Sequence, residues 1–155
     1  MQTILNQFEL HTRLYNNLLH EISDEQSLQR LTKETNHIKW IAGHLLTGRY
    51  SLCELARVEK ENPYTEFFSG ALNDQLDYPK LKDMQEHWNE ISGMLSEGIS
   101  ILPEKLLVKE SKFKSPMGDN SVKGMLDFIM HHEGYHLGQI SLLRRFVGNG
   151  KMSYR

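Results

Sequence analysis

The strongest constraint on the fold is a helical repeat of apolar residues near the C-terminal end of the chain. Apolar side chains recur there at steps of three or four, which is the spacing of one face of an α-helix. Two histidines, His132 and His136, occupy positions within this apolar series. The series consists of Met125, Ile129, His132, His136, Ile140, Leu143 and Val147. We therefore predict a helix from about residue 121 to 147 that turns two imidazole rings toward the protein interior.

Three further segments show the same helical period, and none shows the two-residue alternation of a β-strand. They cover about residues 2–22, 35–58 and 79–99. Four helices with one apolar stripe each can bury those stripes against one another, so we predict an all-α four-helix bundle. Segments 59–80 and 102–120 are longer than the usual loops of such a bundle, which predicts long crossover connections.

Length, charge and cysteine content limit the other possibilities. The 155 residues predict a single domain over 1–155, and a net charge of −2 without a basic cluster argues against a nucleic-acid partner. The N-terminus lacks the features of a signal peptide, and no apolar run reaches the ~20 residues of a membrane span. With Cys53 as its one cysteine, the chain suits a reducing compartment. We expect a cytoplasmic protein with no membrane partner.

The histidines define a candidate metal site. Residues four apart on a helix have Cβ atoms about 5–6 Å apart, so His132 and His136 can bind one cation together. The predicted second helix carries His37 and His44 on the shoulder of its apolar stripe, and the first carries His11 within its stripe. We interpret His44 as the third ligand and His11 and His37 as core histidines, although either could add a ligand. Three protein ligands with one open position are typical of a catalytic zinc site.

The segment from His132 to His136 also matches the H-E-x-x-H pattern of zinc proteases, with Glu133 as the general base. Those proteases take their third ligand downstream of the motif. No Asp, Glu or His follows His136, so the pattern argues against a protease.

A di-iron carboxylate bundle is a second alternative, which requires Glu-x-x-His on two helices and an inward Glu on the other two. Glu34 with His37 and Glu133 with His136 meet the first requirement. The second is not met, because the glutamates of the third helix are predicted to face outward. These are Glu86, Glu90 and Glu97.

Two further features concern binding. Gln139 follows His136 by one helical turn and is a candidate for binding a cofactor, a metal-bound water or a substrate, or equally a core amide paired with backbone. Apolar residues outside the stripes would form a larger patch than a soluble monomer exposes, which predicts a homodimer. In the alternative, segment 59–80 folds back over them. The residues are Leu5, Leu14, Leu19, Leu46 and Tyr50.

Two segments together resemble the DinB/YfiT-like family of metal-binding four-helix bundles. The first runs from Asn36 to Leu45, the second is His132-x-x-x-His136-Leu-Gly-Gln-Ile and continues to Gly148, and Tyr78-Pro79 adds to the likeness. The family usually has an arginine where Leu137 stands.

The resemblance implies that His44, His132 and His136 bind a divalent metal, commonly zinc or nickel, and that the protein is often a homodimer. Relatives include transferases and isomerases that use low-molecular-weight thiols such as bacillithiol or mycothiol. The implied function is a metal-dependent enzyme of this thiol S-transferase or isomerase kind, acting on a small-molecule substrate. The alternatives are a structural or non-catalytic, stress-linked metal-binding module and a metal-dependent hydrolase.

Overall fold

The computed structural model describes residues 1–154, and their regular structure is helical apart from one isolated bridge between Glu110 and Ser121. The four long helices are α1 (Gln2–Leu19), α3 (Ile38–Leu55), α5 (Leu81–Ser100) and α7 (Val122–Phe146). The three short helices are α2 (Asp24–Ser27), α4 (Thr65–Phe68) and α6 (Glu104–Leu107). The all-α four-helix bundle predicted from the sequence is confirmed.

The long helices form a ring in which α1 and α3 each pack against both α5 and α7. Their apolar stripes meet in one core, where Tyr15 of α1 stacks on Trp88 of α5 with ring centroids 4.1 Å apart. Among residues 1–154, no helix combines the length and hydrophobicity needed to cross a membrane.

Local backbone chemistry sets the helix ends, and three of the long helices are shorter than predicted. Helix α1 ends at Leu19 because the chain turns at Glu21, whose φ of 62° is left-handed. Helix α3 begins at Ile38 because the ring of His37 caps it, with Nδ1 accepting a hydrogen bond of 2.9 Å from Trp40 N. Helix α5 begins at Leu81, two residues after the predicted start.

Helix α7 has the predicted bounds to within a residue. The Ser121 hydroxyl accepts a hydrogen bond of 3.0 Å from Gly124 N, as expected of an N-cap. Gly148 follows the helix with a φ of 90°, a left-handed conformation that suits glycine and stops the helix.

The connection between α3 and α5 folds back over α3 through α4. A Cβ atom on Gly43 would lie 2.0 Å from Cζ of Phe68, so the glycine is what allows this close contact. Leu46 and Tyr50 are buried within the single chain, at 0% and 5% exposure. Leu14 and Leu19 are buried as well and Leu5 is half-buried, so the prediction that these residues form an exposed apolar patch was wrong. The homodimer itself stays a prediction. The alternative, in which segment 59–80 covers part of this surface, matches the structure.

Candidate metal centre

The side chains of His44, His132 and His136 meet between α3 and α7. His132 Nε2 lies 3.1 Å from His44 Nε2 and 3.1 Å from His136 Nε2. All three nitrogens lie within 4.8 Å of one another. Over residues 1–154, this is the one group of three or more His, Cys, Asp or Glu side chains close enough to share a metal ion.

The spacing of the nitrogens suits one cation. Zinc–nitrogen bonds of about 2.0–2.1 Å at a tetrahedral angle separate two ligand nitrogens by about 3.3 Å. The observed separations of 3.1 Å from His132 Nε2 to each of the other two Nε2 atoms are close to that value. Imidazole nitrogens also suit zinc, nickel and copper better than magnesium or calcium.

The hydrogen-bonding capacity of the rings also favours a cation. Gln139 Oε1 lies 2.6 Å from His136 Nδ1 and accepts a hydrogen bond from its N–H, which leaves a lone pair on His136 Nε2. His132 Nε2 can supply one proton at most, yet it faces the Nε2 atoms of both His44 and His136. Only one of these two nitrogen–nitrogen contacts can therefore be a hydrogen bond, whereas a cation would bind the lone pairs of all three nitrogens.

Burial keeps these rings in the neutral form that binds metal. Burial, together with the charges of His132 and His136, lowers the pKa of His44 to about 4. Burial followed by the charge of His136 lowers the pKa of His132, and burial lowers that of His136 against an opposing hydrogen bond to Gln139. Trp40 stacks on His44 with ring centroids 4.9 Å apart. Neutral imidazoles can bind a cation at neutral pH without first releasing protons.

Gln139 belongs to the surroundings of the histidine cluster. Its hydrogen bond to His136 Nδ1 fixes the tautomer and the ring orientation, as partners of metal-binding histidines usually do. The sequence analysis considered two roles for Gln139, a contact to substrate or water and a core amide paired with backbone. The contact to a histidine ring differs from both.

The other histidines have different partners. His11 Nδ1 lies 3.0 Å from Glu133 Oε2, and His37 caps α3, so neither ring joins the cluster. Burial, with the charge of Arg30, lowers the pKa of His37 to about 4. His87 hydrogen-bonds the Tyr64 hydroxyl.

The sequence analysis did not identify Arg49, which is fully buried beside the histidine cluster. Its Nε lies 2.8 Å from Glu133 Oε1 and its Nη2 lies 2.9 Å from Glu133 Oε2, which is a two-bond ion pair. Burial alone would raise the pKa of Glu133, but the charge and hydrogen bonds of Arg49, with His11, hold it below its usual range. Both carboxylate oxygens are thus engaged away from the histidine cluster, which argues further against the protease alternative. The sequence held one indication of this ion pair, because an arginine within the apolar segment from Leu45 to Cys53 requires a buried partner.

Comparison with known proteins agrees with this architecture. The model of the DinB superfamily matches residues 7–140, which is most of the chain. The chain belongs to the DinB superfamily. Among curated proteins, none matches it significantly.

Two solved structures share the DinB fold of this chain. A DinB-like protein from Bacillus cereus has a TM-score of 0.75 at 18% identity, covering 99% of this chain and 96% of that one. A conserved protein from Enterococcus faecalis has a TM-score of 0.72 at 12% identity, covering 94% of this chain and 95% of that one. At these identities the likeness concerns the fold alone.

Proposed function

We propose that this DinB-superfamily protein binds one divalent metal ion, zinc or nickel, through His44, His132 and His136. The observation that carries the proposal is the convergence of three Nε2 atoms, with two separations of 3.1 Å. Zinc and nickel are the metals that the family resemblance implies, and both accept imidazole ligands.

We further propose that the metal keeps one open position and that the protein is a metal-dependent enzyme. His11 and His37, the two residues that could have closed the coordination sphere, are engaged with Glu133 and Trp40 N. When bound, a divalent cation with an open position supplies Lewis acidity toward a thiol or a water molecule. A structural site would instead be closed by four protein ligands.

A cavity of about 820 Å³ lies along α3, the helix that carries His44, and is a candidate site for a small-molecule substrate. Thr47, which lines it, follows His44 by one turn of α3. Ser69, also in the lining, comes directly after Phe68, whose backbone hydrogen-bonds the His44 ring. The lining also includes the polar side chains of Ser51, Asn62 and Thr65. None of the three histidines lines this cavity.

The finer proposal is an S-transferase or isomerase that uses a low-molecular-weight thiol. Cys53 lines the same cavity but is 1% exposed, and burial raises the pKa of its thiol to about 11. A thiol with a raised pKa is a poor nucleophile at neutral pH, so thiol chemistry here would need an external thiol. The chain's own contribution would be to hold the metal through its three histidines and to leave one position open for that thiol.

Metal content tests the site directly. Protein purified without a histidine tag should contain close to one zinc or nickel per chain by mass spectrometry of metals. His44→Ala, His132→Ala and His136→Ala should each lower this stoichiometry sharply. His87→Ala is the matched control, because its ring lies outside the cluster. Full metal content in His44→Ala would show that the ligand set is wrong.

The enzyme proposal is tested by a screen of metal-loaded protein with small thiols and electrophiles. Thiol transfer that disappears in His44→Ala and is unchanged in Cys53→Ala would support it. Metal that is bound tightly while no thiol perturbs the absorption spectrum of the cobalt-substituted protein would favour the structural alternative.

A further inference from the structure

We propose that the buried ion pair between Arg49 and Glu133 is a positioning device, which sets the register between α3 and α7 in which His44 meets His132 and His136. This inference rests on the metal site proposed above and assigns these two residues a part in building it.

The geometry of the pair suits this role. Two parallel bonds, Nε to Oε1 at 2.8 Å and Nη2 to Oε2 at 2.9 Å, fix both the distance and the orientation of Arg49 relative to Glu133. Arg49 lies five residues after His44 on α3, about 7.5 Å along the helix axis, and Glu133 comes directly after His132 on α7. The ion pair and the histidine contact therefore link the same two helices at separate points. Two links prevent the sliding and rotation that a single link would permit.

The position of Arg49 is itself set by the rest of the bundle. From α1 it meets Thr12, whose hydroxyl lies 2.7 Å from Nη1, and the Phe8 carbonyl, 3.3 Å from Nη2. From α5 it meets the hydroxyl of Ser92 and the ring of Trp88, whose centroid lies 3.7 Å from the guanidinium carbon. One side chain thus contacts all the long helices, so α3 cannot shift relative to α7 without breaking several contacts.

Stability alone does not account for an ion pair at the centre of an apolar bundle. The Arg49 side chain is 0% exposed and the Glu133 side chain 2% exposed, so both charges have lost their hydration. Replacing such a pair by apolar side chains of similar volume is often neutral or stabilising. A pair with exact directional requirements instead favours one arrangement of the helices over its neighbours.

The test separates stability from metal affinity in the full-length protein. The double variant Arg49→Met with Glu133→Leu removes the pair but leaves the net charge unchanged, so the electrostatic attraction for a cation is matched. The control is Arg144→Met, which removes a different buried arginine that lies on α7. Arg144 donates hydrogen bonds to the carbonyls of Leu18 and Gly150 at 3.0 Å each and to that of His20, and these three partners lie outside α3. Cobalt affinity and absorption spectrum are measured beside the urea unfolding midpoint.

We expect the double variant to unfold at or above the wild-type urea midpoint, yet to bind cobalt at least about tenfold more weakly and with an altered spectrum. Arg144→Met should show the reverse pattern, a lower midpoint with unchanged cobalt affinity. Wild-type affinity in a folded double variant would overturn the proposal.

If the double variant does not fold, Arg49→Lys decides the question, because it keeps the positive charge and loses the two-bond fork. Weaker cobalt binding in Arg49→Lys supports the positioning role, and unchanged binding overturns it. A wild-type protein that binds no metal would refute the proposed function itself, and this outcome can be told apart from a change in the affinity of a variant.

Discussion

Replacing Gln139 by leucine should weaken metal binding without unfolding the bundle. Gln139 Oε1 accepts a hydrogen bond of 2.6 Å from His136 Nδ1, which keeps the Nε2 lone pair directed at His132 Nε2, 3.1 Å away. Loss of such a partner typically lowers metal affinity by about 10–100-fold. That range corresponds to about 1.4–2.7 kcal/mol of binding free energy. Without the amide oxygen, the His136 ring can rotate or adopt the other tautomer, and either change removes a ligand from the correct position.

A competition titration of zinc against a chromogenic chelator at neutral pH measures this effect. Gln139→Glu is the matched control, because it retains an acceptor for His136 Nδ1 and should bind zinc at least as tightly as the wild type. Urea unfolding of each variant checks that the bundle is intact. Wild-type zinc affinity in Gln139→Leu would refute the reasoning and would favour a contact of Gln139 with substrate or water.

Three further predictions concern stability and assembly. Burial lowers the pKa of His37 from 6.5 to about 4 in the folded protein. As the pH falls from above 6.5 toward 4, the unfolded chain therefore binds a proton at His37 before the folded protein does, and the free energy of unfolding decreases. Between about pH 7.5 and pH 5 the wild type should lose roughly 2 kcal/mol more unfolding free energy than His37→Asn. The asparagine keeps a side chain that can cap α3, and equal losses in the two proteins would contradict this prediction. Gly43→Ala should lower the unfolding free energy by roughly 1–3 kcal/mol, because its Cβ would lie 2.0 Å from Phe68. Gly48→Ala is the control and should not lower it, because the space around Gly48 is open. Equal urea midpoints for the two variants would refute this prediction. The homodimer that the family resemblance implies should give twice the mass of 18.1 kDa by light scattering, and a mass of 18.1 kDa would exclude it.

The helices and the histidine pair were predictable because both depend on local spacing. A period of three and four residues identifies a buried helical face, and His132 and His136 lie one turn apart whatever surrounds them. The addition of His44 required only that α3 and α7 be neighbours in the bundle. The structure brings these three rings together as the sequence analysis expected.

Contacts that depend on tertiary structure could not be predicted in the same way. The contact of Phe68 with Gly43 depends on a long connection returning to α3, and no periodicity in the sequence indicates where such a segment packs. His37 falls near the apolar stripe in sequence, yet its ring turns back to cap its own helix. The partner of Arg49 is 84 residues away in the chain, so nothing local could identify it.

The H-E-x-x-H segment of α7 illustrates why a motif needs its partners before it can be assigned a chemistry. In a zinc protease the glutamate lies beside the metal and removes a proton from water. Here Glu133 is 1% exposed and directs both oxygens into the core, toward Arg49 and His11. Adjacent positions on a helix point about 100° apart, so the face that carries His132 and His136 and the face that carries Glu133 can serve different neighbours. Because Arg49 of α3 engages both carboxylate oxygens, Glu133 is not placed to act as a general base, and only the two histidines of the motif join the cluster with His44.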